Sequence, residues 1–311
     1  MDLSLALMSN IAVMLIWVLV GYLAVKLSVL KTEDSRLLSS LTIYIFCPCM
    51  ILMAFQIDLT PERLHGFLYA MAFVFVIYIV WIVITQLIKK PLSLDPVDTT
   101  SLVYSNVGNL VIPLVSMTLG EEMTFYAAAI QVPFNLLFWT HGNSILQEQA
   151  GFNWEKLLKN INLIAVFLGL ILLALQVRIP EIMKKTLNGL SACVAPCSMM
   201  SVGLVLAGTS VKNIFTCKRA YGILLGRLIV FPLIALGILW CSGLLNHHPE
   251  LTGILLISFM SLAAPTASNV AQMAVIYDQR TTEASIYNIL SLFFCVLTIP
   301  IIIWVYQAIF M

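Results

Sequence analysis

The sequence predicts an all-α, polytopic membrane protein with ten transmembrane helices. The chain is 61% hydrophobic and only 10% charged, with a mean hydropathy of +1.00. Soluble domains are roughly 45 to 50% apolar and about 25% charged. The apolar residues also form runs of about 20, the length that a helix rising about 1.5 Å per residue needs to cross a hydrocarbon core about 30 Å thick. We therefore expect a multi-pass protein of a cell membrane, either plasma or inner.

Ten segments satisfy this length rule. They are residues 5–29, 37–57, 65–88, 101–119, 123–146, 161–178, 187–210, 220–244, 251–276 and 283–309. The connections are short and leave no room for a soluble catalytic domain. The longest, residues 147–160, falls mid-sequence and separates a half at 1–146 from a half at 161–311, with five segments in each.

The first segment is expected to remain in the mature chain. Its front carries Asp2 in place of a basic region, its apolar run is longer than that of a secretory signal, and no convincing small-residue cleavage site follows.

Basic residues in the short loops predict the orientation, because inner loops carry an excess of Lys and Arg. They concentrate after the odd-numbered segments, at Lys26, Lys31, Arg36, Lys89, Lys90, Lys156, Lys159, Lys212, Lys218, Arg219 and Arg280. The loops at the opposite side hold Arg63, Arg178, Lys184 and Lys185. We therefore expect both termini outside.

The two halves carry traces of a duplication. The second segment contains LSSLTIYIFCPCM and the seventh LNGLSACVAPCSM, while the fourth contains SNVGN and the ninth SNVAQ. Because each half has an odd number of segments, a duplicated unit would insert in opposite orientations. The sequence therefore predicts two inverted five-helix repeats.

The fourth and ninth segments carry residues that weaken a helix. Proline costs about 3 kcal/mol in a helix interior and glycine about 1 kcal/mol. In lipid, the freed backbone groups need partners inside the protein. The residues are Ser105, Asn106, Gly108, Asn109 and Pro113 in the fourth segment, and Ser261, Pro265, Thr266, Ser268, Asn269 and Gln272 in the ninth. They could form an unwound, substrate-binding crossing, or only hold helices together at about 0.6 kcal/mol each.

Longer motifs resemble the auxin efflux carrier family, which includes plant PIN auxin carriers and bacterial malate-permease-like transporters. The motifs are NVGNLVIPL, GEEMTFYAAAIQVPFNLLFWTHG and AAPTASNVAQMAVIYDQRTTEAS, with YIFCPCMILMAF in the second segment and GRLIVFPLI in the eighth. The resemblance implies an architecture similar to bile acid transporters and sodium/proton antiporters, in which a transport domain with two crossed broken helices, 4 and 9, moves against a scaffold. It also implies a homodimer formed through that scaffold.

The resemblance assigns roles to particular residues. The crossover prolines correspond to Pro113 and Pro265, and the substrate-facing amides look like Asn106, Asn109 and Asn269. In the fifth segment the matching polar residues are Asn135 and Gln131. The long central loop of the plant carriers is absent here, so regulation through that loop is not implied, and auxin itself is an unexpected substrate.

The chemistry of broken helices predicts a small organic anion as the substrate. A half-helix N-terminus carries about half a positive charge and several unpaired N–H groups. Such ends bind carboxylates without a formal charge on the protein. Asn106, Asn109 and Asn269 would complete the hydrogen bonding, together with Thr266 and Ser268.

Two ionisable residues in segments leave alternatives open. Arg227 is the one cation placed inside a segment; it could serve coupling or structure near the crossing, or snorkel to the inner surface near Arg219. His141 could relay protons, or be an ordinary interfacial residue.

Other functions are disfavoured. A net charge of +1 offers no basic surface for nucleic acid. The thiols of FCPCM could suggest copper, but the nucleotide domains of a copper ATPase cannot fit, so we expect no metal and no cofactor.

We find no GxSxG motif or catalytic acidic pair, so no enzyme is expected. A receptor fits two related halves less well than a carrier does. The nearest rival is a sodium- or proton-coupled antiporter or symporter, although no Asp or Glu lies in the interior of any segment and Glu283 stands at the very start of the last.

Overall fold

The computed structural model describes residues 3–58, 60–148, 159–208 and 211–311, and these residues form helices and connecting turns with no β-strand. Most of the predicted central loop lies outside the described residues. The helices, numbered in chain order, are α1 Leu3–Lys26, α2 Thr32–Ala54, α3 Pro61–Lys89, α4 Pro96–Val103, α5 Val107–Leu119, α6 Glu121–Leu137, α7 Ile161–Ala174, α8 Glu181–Gly208, α9 Val211–Thr216, α10 Lys218–Ser242, α11 Leu244–His247, α12 Pro249–Leu262, α13 Ser268–Ile276 and α14 Thr281–Phe310. Helix α6 continues through Phe138–Gly142 into a last turn at Asn143–Leu146.

Six helices in the described part of the chain are long and apolar enough to cross a membrane: α2, α3, α8, α10, α14 and the part of α1 from Ser9 to Lys26. The other predicted segments correspond to α4 with α5, to α6, to the shorter α7, and to α12 with α13. The multi-pass, all-helical fold is therefore confirmed in its coarse form. The count of ten spans and the inverted repeat stay predictions.

Three helices widen by one π-helical turn before a proline. Because proline lacks an N–H and its ring clashes with the preceding turn, a locally wider turn accommodates it. The turns are Thr42–Phe46, Val107–Val111 and Gly226–Val230, followed two residues later by Pro48, Pro113 and Pro232. Pro113 therefore bends α5 near its start and does not itself mark the interruption of the fourth segment.

Helices from the two halves pack into two groups. In one group α8 contacts α1 and α2, and α2 contacts α7, while α3 to α6 pack with α10, α12, α13 and α14. The closest approach in the first group is between α1 and α8. A Cβ atom added at Gly203 would lie 2.0 Å from the carbonyl oxygen of Val18, and one at Gly21 would lie 2.2 Å from that of Met200. Glycine is required at both places because backbone meets backbone, as at close helix pairs in membranes.

Candidate functional site

Two interrupted helices meet at their interruptions. Helix α4 ends at Val103 and α5 begins at Val107, while α12 ends at Leu262 and α13 begins at Ser268. Tyr104 and Ala267 have extended backbone, and Ser105 and Thr266 form an isolated antiparallel bridge. The N–H of Asn106 donates to the carbonyl oxygen of Pro265 at 2.9 Å, and the N–H of Ala267 donates to that of Tyr104 at 3.0 Å. Each interruption thus satisfies backbone groups of the other, as a buried break requires.

Side chains hold this junction from several directions. The Asn106 amide donates to the Ser268 hydroxyl at 3.0 Å and so links the start of α5 to the start of α13. The Thr266 hydroxyl shares a hydrogen bond with Ser291 at 3.0 Å, and the Asn288 amide donates to the Thr266 carbonyl at 2.9 Å. Thr266 is only 1% exposed. Its hydroxyl therefore stabilises the bend and is not free for a substrate.

The starts of α5 and α13 both lie at the junction. Neither has a capping side chain: Asn106, before α5, donates to Ser268, and Ala267, before α13, has no polar group. Helix starts expose N–H groups and carry partial positive charge. The junction therefore offers two places where an anion's oxygens are favoured.

A cavity of about 550 Å³ lies beside the junction. Asn106, Asn109 and Ser268 contribute to one wall, with Asn288 from α14. The facing wall comes from α2 and α8 and includes Ser39 and Ser201. The other polar residues that line the cavity are Ser35, Arg36, Ser40, Thr42, Tyr44, Ser198, Gln272 and Ser285. A cavity of this size matches sites for small molecules, which range from roughly 300 to 1,000 Å³.

A smaller pocket of about 80 Å³ adjoins the first and shares Asn106 and Asn109 with it. Eight carboxamide side chains line it: Asn106, Asn109, Gln131, Asn135, Asn160, Asn162, Asn269 and Gln272. Gly108 lines it too, and a Cβ added there would lie 3.3 Å from the Gln131 amide nitrogen.

Several polar atoms in this pocket have no hydrogen-bond partner among the described residues. They are Gln131 Oε1, Asn135 Nδ2, Trp139 Nε1 and Asn162 Oδ1, all of them buried atoms. Buried polar groups normally have partners, so unpaired ones need an explanation. Both donors and acceptors are unpaired, and a small polar solute or water could satisfy them together.

Arg227 is fully buried and contacts the C-terminal ends of α4 and α12, where the two helices are interrupted. Its guanidinium donates to the carbonyls of Leu262 and Ala264 at 3.1 and 3.2 Å, and approaches those of Leu102 and Val103 at 3.4 and 3.5 Å. It also lies 4.8 Å from the centre of the Trp81 ring. The carbonyl ends of α4 and α12 carry partial negative charge. One cation therefore compensates both, and Arg227 does not snorkel to the surface.

The family model described as membrane transport protein matches residues 6–151 and 145–303. The chain belongs to this family, the auxin efflux carrier family. An uncharacterized transporter of Methanocaldococcus jannaschii is 28% identical over 226 residues, which cover 66% of this chain and 70% of that protein. The resemblance seen in the sequence is confirmed, and the protein is a membrane transporter.

The predicted site residues of this auxin efflux carrier family member divide into two sets. Those that line one of the two cavities are Asn106, Asn109, Gln131, Asn135, Ser268, Asn269 and Gly108. Those that line neither cavity are Thr266, Pro113, Pro265 and His141. The Pro265 carbonyl accepts the bond from Asn106, and the His141 Nδ1 lies 2.9 Å from the Tyr104 hydroxyl.

The wall formed by α2 and α8 is not among the features predicted from the sequence. Arg36, Ser39, Ser40 and Tyr44 recur at helical spacing on α2, and Ser198 and Ser201 do so on α8. A polar stripe in an apolar helix was the available signal. This stripe does not stand out in the sequence because single serines are common in membrane helices, where their hydroxyls can hydrogen-bond to backbone carbonyls of the same helix.

Proposed function

We propose that the protein is a secondary transporter of small organic anions, carboxylates such as malate or auxin-like acids, and that the carboxylate binds at the junction of the two interrupted helices. The observation that carries the proposal is the convergence of two uncapped helix starts with Asn106 and Ser268 beside a cavity of about 550 Å³. Two helix dipoles and a set of amide donors suit an anion.

The surrounding charge supports an anion as well. Among the described residues that line the two cavities there is no Asp or Glu, and Arg36 is the charged residue present. A carboxylate would therefore meet donors and positive potential along its route and no fixed negative charge.

Alternating access is the proposed mechanism. Helices α1, α2, α7 and α8 would form the scaffold, and the group containing the junction would move against it, as in ten-span inverted repeats. The cavity reaches the end of the bundle where α2 begins and α8 ends. At the opposite end, Phe55 of α2 packs against Phe67 and Phe125, with ring centres 6.0 and 5.4 Å apart. These features support one open and one closed side. We propose a multi-pass location in a cell membrane with both termini outside, and no enzymatic activity.

Sodium or proton coupling is the alternative, and Arg227 weighs against it. A coupling cation in a broken-helix transporter is held by unwound backbone carbonyls and helix C-terminal ends. Here the fixed guanidinium occupies that role for α4 and α12. We therefore propose uniport, in which flux follows the substrate gradient alone.

Proteoliposome flux tests the proposal. Labelled monocarboxylates and dicarboxylates are compared with their neutral amides, in wild type, Asn106→Ala, Asn269→Ala and the control Asn246→Ala, an exposed residue outside both cavities. We expect saturable carboxylate flux that is lost in the first two variants, retained in the control, and unchanged when sodium is replaced by choline. Equal flux in all four proteins would refute the site, and no flux of any carboxylate would refute the substrate class.

A further inference from the structure

One face of α2 forms a polar track that leads from the end of the bundle to the junction. Arg36, Ser39, Ser40 and Tyr44 all line the larger cavity. Ser39 and Ser40 follow Arg36 by three and four residues, and Tyr44 follows Ser40 by four, as neighbours on one helix face do. Cys47 continues the same face, and its sulfur lies 3.9 Å from the Asn109 carboxamide oxygen. From Arg36 to Cys47 the helix rises roughly 16 Å.

Arg36 is an exposed residue at the mouth of this track. Arg63, Arg178, Arg219 and Arg280 each form an ion pair with a carboxylate. Arg36 has no such partner among the described residues, and no carboxylate among them lines the cavity with it. Its positive potential is therefore directed along a cavity with low-dielectric walls, which focus the field.

Helix α8, in the same wall as α2, adds hydroxyl groups along this route. The hydroxyls of Ser39 and Ser201 lie 2.7 Å apart, and Ser201 donates to the Ser35 carbonyl at 3.1 Å. Ser198 is only 7% exposed, and its hydroxyl has no partner among the described residues although the residue lines the cavity. This buried, unpaired hydroxyl is available to hydrogen-bond a polar solute that enters the cavity.

Arg36 and the junction belong to different groups of helices. Arg36 lies on α2, which packs with α7 and α8, whereas Asn106 and Ser268 lie in the group around α6 and α14. If the groups move against each other, Arg36 stays at its own end of the bundle. The helix rises roughly 16 Å between Arg36 and Cys47, which places Arg36 at the entry of the cavity and not at the junction.

We propose that Arg36 recruits the anionic substrate at its own side of the membrane only, and so sets the apparent affinity for entry from that side. The inference rests on the proposed carboxylate transport. It predicts that removing the charge of Arg36 raises KM for entry from the Arg36 side and leaves KM for entry from the other side unchanged.

The test is initial carboxylate flux in membrane vesicles of the two opposite orientations. The variants are Arg36→Gln and Arg36→Lys, with Lys31→Gln as a control that removes a neighbouring cation lining neither cavity. For Arg36→Gln we expect KM from the Arg36 side to rise about three- to fivefold at low ionic strength, as for one partly screened charge pair. That increase should shrink in about 0.5 M salt, because the Debye length falls well below 10 Å.

Three further results complete the expectation. The maximal rate from the Arg36 side is unchanged; KM from the other side is unchanged while the maximal rate from that side falls by the same factor, because the ratio of maximal rate to KM of a uniporter is equal in both directions; and Arg36→Lys and Lys31→Gln behave as wild type. An equal KM change on both sides, a change in maximal rate alone, or no change in KM would overturn the inference. A change in stability without a change in KM would mean that Arg36 binds only lipid phosphate, which also overturns it. If wild type carries carboxylates and Asn106→Ala does not, these outcomes leave the proposed function standing.

Discussion

The backbone N–H of Asn106 donates to the carbonyl oxygen of Pro265 at 2.9 Å, although 159 positions separate the two residues in the sequence. This bond joins the interruption between α4 and α5 to the one between α12 and α13. Because each break supplies the partner that the other lacks, the two half-helix starts are held side by side. The proposed anion site is a consequence of that pairing.

Arg227 is expected to be a main determinant of stability. Replacing it with Gln removes the charge that compensates the carbonyl ends of α4 and α12 and leaves buried acceptors unpaired. We expect the free energy of unfolding in detergent to fall by about 3 kcal/mol or more. Arg178→Gln, which removes a partly exposed pair with Asp58, should cost less than about 1 kcal/mol. Equal losses in the two variants would contradict the role given to Arg227.

The contact between α1 and α8 should tolerate no added side chain. In Gly203→Ala the new Cβ would lie 2.0 Å from the Val18 carbonyl oxygen, so the helices must separate. Overpacking of this kind costs about 1 to 3 kcal/mol. Gly237→Ala, in α10, meets no atom within 4 Å and should be neutral or slightly stabilising. Thermal unfolding of both variants in detergent measures the difference, and a harmless Gly203→Ala would show that the helices are not in contact as described.

Asp98, just before the fourth predicted segment, should make stability depend on acid pH. Burial raises the pKa of its carboxyl, but hydrogen bonds from Arg219, from the Asp95 backbone and from Tyr287 outweigh burial and lower that pKa overall. A lowered pKa means that the stabilisation is complete above the unfolded-chain pKa near 4 and is lost as the pH falls through the folded-state pKa.

Asp98→Asn tests this by comparison with wild type between pH 3 and pH 7. We expect the variant to be less stable by about 2 kcal/mol at neutral pH, with the gap closing below about pH 4. The exposed Asp58→Asn serves as the control and should show little difference at any pH. A gap that stays constant down to pH 3 would argue against the ionised Asp98.

Cys47 should report on occupancy of the amide-lined pocket. Its sulfur lies 3.9 Å from the Asn109 carboxamide oxygen, and the residue lines that pocket. A small mercurial should inhibit wild-type flux, and a transported carboxylate should slow the inhibition. Flux through Cys47→Ser should resist the mercurial. Flux through the control Cys241→Ser, which removes a thiol that lines neither cavity, should stay sensitive. Full sensitivity of Cys47→Ser would remove the link between this thiol and the transport route.

Much of the site was predictable because proline, glycine and amide side chains are costly in an apolar helix and so stand out. Asn106, Asn109 and Asn269 were identified in this way, and the structure places all three against the cavities. Thr266 stood out by the same rule, but its hydroxyl is bound to Ser291 at the junction, and Pro113 lies within α5 away from the interruption. Sequence alone cannot separate a polar group that repairs backbone from one that faces a solute.

Arg36 and Arg227 show what depends on tertiary structure. Both are single arginines near a segment end, and the sequence leaves open whether Arg227 snorkels to the surface. Burial against four carbonyls became visible only when two distant helix ends were brought together. Arg36 looked like one more inner-loop cation, and only the packing of α2 against α8 shows that it lines a cavity.

Equilibrium binding to Asn106→Asp tests the central claim most directly. Asp has nearly the volume of Asn, and the Ser268 hydroxyl can donate to the new carboxylate, so the link between α5 and α13 is retained. The substitution places a negative charge where the substrate's carboxylate is proposed to bind. We predict that binding of a radiolabelled carboxylate substrate to the purified protein weakens at least tenfold, about 1.4 kcal/mol, while Asn246→Asp binds as wild type does. Wild-type affinity in Asn106→Asp would contradict a carboxylate site at the junction.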